Sequence, residues 1–472
     1  MRSPASCLTV TSRKHWWPVC WPATRAAKPL PSNSCPHTGT QLLTIKIIEL
    51  TSVNTKSTIR SSRSYKDCNF ITGRTAHMAK WFEVTAGVTA LLALSACGGN
   101  MNSGSAETSA RKVEGAPSFT PEVLVDENRL AAGVEHTAGL GADGKVYAWG
   151  RNDAGQVALT PVLVGGLSGV KANFSDVKAI KAGGYTSLAL KQDGTVWTVS
   201  SRGVQMVYGL SNVKAIAAGQ GHMLALTTDG SVWGWGRGGA SSLSPAIVQG
   251  LSNVKSIAAG QDYSVALAAD GKVWTWGVNL FGQLGNGTAA GRSAGPAAVA
   301  GITNATSIAA GMSHVLVLKQ DGTVWGWGNN SYGQLGGTTH AYYTPIAIKG
   351  LPAPAAGTNG VRSVSAGAYN SGIVNYNGSV WTWGNNTFGQ LGDGTTAVSF
   401  APKKVNAISD AVAMAIGAGH IAVLRSDGAV YSFGRNTAGQ LGTNTTVGSN
   451  LPVQAAGVGG IGNLNLGKSA NR

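Results

Sequence analysis

The stretch Gly311-Met-Ser-His314-Val-Leu-Val-Leu-Lys-Gln-Asp321-Gly322-Thr-Val324-Trp325-Gly-Trp327-Gly-Asn329-Asn-Ser-Tyr-Gly333-Gln334-Leu335-Gly336 decides the fold. Two short apolar runs, Val315 to Leu318 and Val324 to Trp327, flank an Asp-Gly pair. That pattern is the strongest local hairpin signal, and it predicts positive φ at both turn residues. The same unit recurs outward in both directions. Its glycine anchors are Gly133, Gly183, Gly219, Gly260, Gly311, Gly367 and Gly417. Ten residues after each anchor stand Asp143, Asp193, Asp229, Asp270, Asp321, Asn377 and Asp427, every one followed by glycine. Successive anchors are 50, 36, 41, 51, 56 and 50 residues apart, so the length variation is confined to one linker per unit. Periodicity on this scale marks a repeat architecture.

Linker segments such as Ala246-Ile247-Val248 and Val254 to Ile257 supply two further short strands per unit. Four strands per unit make one blade, and the expected fold is all-β, a seven-bladed β-propeller of four-stranded blades. The alternating pairs Trp233/Trp235, Trp274/Trp276, Trp325/Trp327 and Trp381/Trp383 share one face of their strands. Packing between neighbouring blades is their expected role. The Gly-Gln-Leu-Gly stretches at 282–285, 333–336, 389–392 and 439–442 read as structural turns between blades.

These units resemble the repeat of the regulator of chromosome condensation family, a seven-bladed propeller, over residues 120–467. Unit 2 departs from the pattern after Val196-Trp197, and unit 3 loses Gly-Gln-Leu-Gly after Trp235-Gly236. Linker sequence also precedes the first unit (Pro121 to Ala132) and follows the last (Pro452 to Leu466). The expectation is that the C-terminal strands complete a blade begun near the N-terminus, which would remove exposed sheet edges.

Composition agrees with a turn-rich β protein: 67 of 472 residues are glycine and 14 are tryptophan, the glycine share being about twice the usual ~7%. The net charge of +16 invites a nucleic-acid reading. Residues 1–77 carry eleven Lys/Arg against Glu49 and Asp67, so over half of that charge precedes the repeats. The rest is dispersed, and nucleic acid is not an expected partner. Cys7, Cys20, Cys35, Cys68 and Cys97 all precede residue 98, which leaves the repeat region without disulfides or thiolate metal sites.

Residues 1–77 read as non-globular, an upstream extension from a misplaced start. Residues 78–97 have the layout of a secretory signal: Lys80, an apolar run from Val84 to Leu94, then Ser95, Ala96, Cys97. The end of this segment resembles the lipobox of bacterial lipoproteins, which implies lipidation of Cys97 and a membrane anchor. Residues 98–119 are the expected linker and 468–472 the tail.

His136, His222, His314 and His420 share one position in four units, where others carry Thr186, Tyr263 and Asn370. All can hydrogen bond, so buried pairing is expected rather than metal ligation. Gly457 to Gly462 formally matches G-x-G-x-x-G, but no helix or acidic residue follows it. No catalytic constellation, metal site or cofactor is expected. Loops on a rigid scaffold are where binding resides, and two places stand out: His340, Tyr342 and Tyr343 in the loop of unit 5, and Arg202, Met206 and Tyr208 in unit 2. The resulting expectation is a monomeric, lipid-anchored propeller in a bacterial cell envelope, periplasmic or cell-surface, which binds a protein or envelope polymer and is not an enzyme. The family's nuclear members are nucleotide-exchange factors, and the resemblance also admits secreted inhibitory proteins. The alternatives are an exchange-factor-like regulator and a polysaccharide-acting propeller enzyme.

Overall fold

In a computed structural model, described over residues 126–151, 157–164, 174–200, 203–236, 244–352 and 360–468, each repeat unit forms one four-stranded antiparallel sheet. Seven sheets result, and every one is a simple meander in chain order. The blades occupy residues 130–163, 177–206, 213–247, 254–298, 305–347, 361–404 and 411–454. Blade 5 is representative: innermost strand Ala305–Ala310, then His314–Lys319, Val324–Asn329 and outermost Ala341–Ala347. The segments expected as an upstream extension (1–77), a signal ending at Cys97 (78–97) and a linker (98–119), together with Arg202 and residues 469–472, lie outside the described residues.

The turn between the second and third strands is an Asx turn. The side-chain oxygen of each turn Asp or Asn accepts the backbone N–H two residues on, at 2.9–3.1 Å in blades 1 to 7. Positive φ falls on the glycine alone, for example +80° at Gly322. The expected doubly left-handed turn is thus corrected: the side-chain bond stabilises Asp in its ordinary φ range, and glycine makes the bulge.

The linkers are also shared differently from the expectation. Ala246–Ile247 pairs with the third strand of blade 3, whereas Val254–Ala259 opens blade 4. One linker strand therefore closes the preceding blade and the other begins the next. Entry to the inner strands is marked by residues in the left-handed region, Asp176, Asn212, Asn253, Asn304 and Asp410, types that tolerate it.

This division removes the need for a blade shared between the two ends. Blade 1 is contiguous, and Ser449–Gln454 is the outer strand of blade 7. The C-terminal segment instead clasps the seam between blades 7 and 1. Asn465 bridges to Ala429, the Leu466 carbonyl accepts from Ala142 N, and buried Arg129 donates to the carbonyls of Leu140, Leu466 and Gly467.

Core packing lies between blades. Trp327 and Trp325 pack against Val265, Leu267 and Val273 of blade 4; Trp383 and Trp381 pack against Leu316 and Leu318 of blade 5. Phe433 and Tyr431 do the same against blade 6, and Trp149 and Tyr147 against blade 7. A seam of this kind buries large aromatic area on both partners.

Candidate functional site

The meander gives the ring two unlike faces. The first face carries the anchor-glycine loops and the loops between third and fourth strands; the second carries the Asp-Gly turns and the blade-to-blade crossovers. The floor of the first face is a belt of backbone bonds running from blade to blade around the axis. Val134 N donates to Gly184 O, Gln220 N to Gly260 O, Met312 N to Gly367 O, Ala368 N to Gly417 O, and Ala418 N to Gly133 O, at 2.8–3.4 Å. Glycine is required there: a Cβ on Gly311 would lie 2.3 Å from His314 Cε1 and 2.4 Å from Gly367 O. The belt rims a small axial cavity of about 140 Å³.

Beneath it, each repeated histidine reaches the next blade. Nε2 of His136, His222, His314 and His420 lies 2.8–3.0 Å from the hydroxyl of Ser187, Ser264, Ser371 and Thr137, respectively. A hydroxyl beside an imidazole could be a nucleophile and its base. Here both groups are buried inside blade seams, where no substrate reaches them, and two hydroxyls are committed to main-chain acceptors: Thr137 to Gln440 O and Ser371 to Gln334 O. Burial brings His222 down to about 4 and His314 and His420 down to about 3, so all three rings are neutral. Among the described residues no group of three or more His, Cys, Asp or Glu converges to hold a metal ion.

The Asn-x-x-Gly-Gln-Leu-Gly loops are built by their own side chains. Asn330 Oδ1 accepts Leu335 N, its Nδ2 donates to the carbonyls of Gly336 and Thr339, and Gln334 Oε1 accepts Tyr332 N. The glutamine carbonyls then serve the next blade as acceptors for the indole N–H: Gln440 for Trp149, Gln283 for Trp327, Gln334 for Trp383, at 2.8–3.0 Å. The turns expected between blades thus lie within a blade, between its third and fourth strands, and reach the next blade only through these bonds.

With the asparagine and glutamine side-chain oxygens of each loop bonded inward, its second variable residue is turned out to solvent. Phe281 is 44% exposed, Tyr332 39% and Phe388 46%. They form an arc across blades 4 to 6 on the first face. The Tyr332 ring lies 4.9 Å from Tyr369 of the next blade, whose hydroxyl is raised in pKa by burial and by Tyr332. The Arg435 guanidinium stands 5.4 Å from the Phe388 ring centre. Arg435 and Arg151 both engage the buried carboxylate of Glu135, at 3.2 and 3.4 Å, across the seam of blades 7 and 1. Tyr, Phe and Arg in one cluster of exposed and half-buried side chains are the composition of a protein-binding hot spot.

Sequence-expected residues fall on both sides of the ring. Tyr342 and Tyr343 belong to the strand Ala341–Ala347 rather than to a free loop. The strand forms because Tyr342 pairs with Gly328, which half-buries Tyr342; Tyr343 is exposed and lies over the close-approach glycine Gly282, at the outer rim of the arc. His340 is exposed and caps the strand, its carbonyl accepting Asn330 N. Met206 pairs with Trp197 towards the second face, and Tyr208 is 77% exposed there. The two groups are therefore not brought together. Phe281, Tyr332, Phe388, Tyr369 and Arg435 were not singled out from sequence. For Phe281, Tyr332 and Phe388 the signal is an aromatic at one variable motif position in three successive units; Tyr369 and Arg435 carry no such signal.

Comparison with known proteins agrees with this geometry. The RCC1-like domain profile matches residues 202–470, and the regulator of chromosome condensation (RCC1) repeat matches residues 129–156. The chain is 29% identical to the probable E3 ubiquitin-protein ligase HERC4 of Homo sapiens over 141 residues, 29% of this chain and 13% of that protein. It is 25% identical to the ultraviolet-B receptor UVR8 of Arabidopsis thaliana over 293 residues, 60% of this chain and 58% of the receptor. The matched part is thus well under two thirds of either relative. Yeast RCC1 (Prp20), solved with Kap60 bound to it, superposes with TM-score 0.59 at 18% identity, covering 74% of this chain and 90% of that one. A second Prp20p structure from Saccharomyces cerevisiae gives 0.52 at 24% identity, covering 61% and 80%. These structural likenesses speak to fold alone, but the domain profile spans more than half of the chain, and this protein is a member of the RCC1-like domain family.

Proposed function

We propose that this chain is an extracytoplasmic, lipid-anchored propeller scaffold that binds a protein partner through the first face and catalyses no reaction. The observation that carries the reading is the aromatic and arginine arc on the first face, in which Phe281, Tyr332 and Phe388 are exposed and Tyr369 and Arg435 stand half-buried beside them. Rigid aromatic side chains supply contact area at low entropy cost. Protein binding is consistent with the family: the yeast relative is described with Kap60 bound and with binding properties towards Gsp1p and histones. The anchor rests on the sequence Leu94-Ser95-Ala96-Cys97.

Two measurements test the reading. Palmitate labelling of expressing cells should mark the wild-type chain and not Cys97→Ser; equal labelling refutes the anchor. Crosslinking of the full chain in envelope fractions should yield a protein adduct lost in the double variant Tyr332→Ala/Phe388→Ala and retained in Tyr208→Ala, which alters the opposite face. Equal recovery from all three proteins refutes the first-face assignment.

A further inference from the structure

Blades 2, 5 and 7 share a device on the second face. Two residues before the turn Asp stands a basic residue, and four residues after it an aromatic one. The cation lies over the ring: Lys191 Nζ is 5.9 Å from the Trp197 ring centre, Lys319 Nζ 5.2 Å from Trp325, and Arg425 Cζ 5.8 Å from Tyr431. In two of these blades the turn Asp pairs with that cation, Lys319 with Asp321 at 3.7 Å and Arg425 with Asp427 at 3.5 Å. The long side chain thus covers the aromatic with its stem and head together.

Blade 4 keeps the Asp and the ring, as Asp270 and Trp274, but carries Ala268 at the basic position. A groove of about 480 Å³ lies there between blades 3 and 4, lined by Trp274, Asp229, Asp270, Lys214, Lys255 and Asn253. Trp274 is half-buried, its neighbours Val248 and Leu251 packing in the same seam. Two lysines and two aspartates balance in this lining, and Asp270 is further paired with Lys272 at 2.9 Å. The one surplus positive charge is carried by exposed lysines and screened by solvent, so a phosphate gains little from such a set and an ammonium group nothing. A neutral ligand does better, provided it offers an apolar face to the indole and many donors and acceptors at its rim. A pyranose ring has that form: its axial C–H groups make an apolar face and its equatorial hydroxyls radiate outward.

We propose that the groove between blades 3 and 4 is a saccharide subsite, in which a neutral pyranose stacks on Trp274 and exchanges hydroxyl hydrogen bonds with Asp229, Asp270 and Lys214. The site is separate from the protein-binding arc and stands on the opposite face. Isothermal titration of the full chain with cellotetraose, maltotetraose and chitotetraose tests it. At least one of the three should bind, and Trp274→Ala should weaken that sugar at least tenfold. Because Trp274 also packs in the seam, Ala268→Lys is the decisive variant: it installs the residue that blade 5 carries as Lys319, covers the ring, and should weaken binding at least tenfold with an unchanged melting temperature. The proposal is overturned if none of the three sugars binds the wild-type chain, or if Ala268→Lys binds as tightly as wild type.

Discussion

Mild acid should loosen the ring well before its carboxylates titrate. Burial holds His222 at about 4 and His314 and His420 at about 3, whereas an imidazole in an unfolded chain titrates near 6.5. The folded values lie below the unfolded one, so the contribution of these groups is complete above about pH 6.5 and is lost as pH falls towards the folded values. At about pH 5 each ring costs about 2 kcal/mol, from ~1.4 kcal/mol per pH unit, and the three together about 6 kcal/mol. That is a large part of the ~5–15 kcal/mol that stabilises an ordinary domain. The turn aspartates Asp143, Asp193, Asp229, Asp270 and Asp321 are also held below their usual value, but their contribution is lost only below about pH 4. The interval between therefore isolates the histidines. Urea midpoints followed by circular dichroism at about pH 7.5 and about pH 5 measure the loss. The control is His222→Asn/His314→Asn/His420→Asn, which installs the residue that blade 6 carries as Asn370; its loss should be under about 1 kcal/mol. A wild-type protein equally stable at both values, or a triple variant with the wild-type slope, refutes the reasoning.

Other consequences follow from single contacts. Trp327→Phe and Trp276→Phe both leave a cavity at a buried site, but only Trp327→Phe also removes a 2.9 Å bond, to Gln283 O, the Trp276 indole N–H being buried without a partner; Trp327→Phe should therefore cost about 1–2 kcal/mol more than Trp276→Phe in urea denaturation. Gly311→Ala drives a methyl group against His314 and the Gly367 carbonyl and should cost about 2–4 kcal/mol in the same assay. Arg129→Ala leaves the carbonyls of Leu140, Leu466 and Gly467 without this donor, and a loss of about 3 kcal/mol or more is expected, with faster amide exchange in residues 463–467.

The candidate site was less legible than the fold, for a reason visible in particular residues. Tyr342 and Tyr343, beside His340, stand out in the sequence by their combined polar and aromatic character in a loop. Phe281, Tyr332 and Phe388 stand inside the pattern, at a position where the other loop, in blade 7, has Ala438. Only the inward bonding of Asn330 and Gln334 shows that this position must face out. The orphan indole of Trp276 has the same origin: units 2 and 3 lack Gly-Gln-Leu-Gly, but which tryptophan that deprives depends on the order of packing.

By itself the sequence determined seven hairpins, their Asp-Gly or Asn-Gly turns, and the shared face of four tryptophan pairs, because each is written within about ten residues and obeys local backbone and pleat rules. The tertiary structure alone decided which blade each linker strand joins, that His420 meets Thr137 across 283 residues of chain, and that the C-terminal segment clasps a seam instead of completing a blade. Those partners are chosen by ring closure, which brings distant segments together at a separation no local pattern encodes.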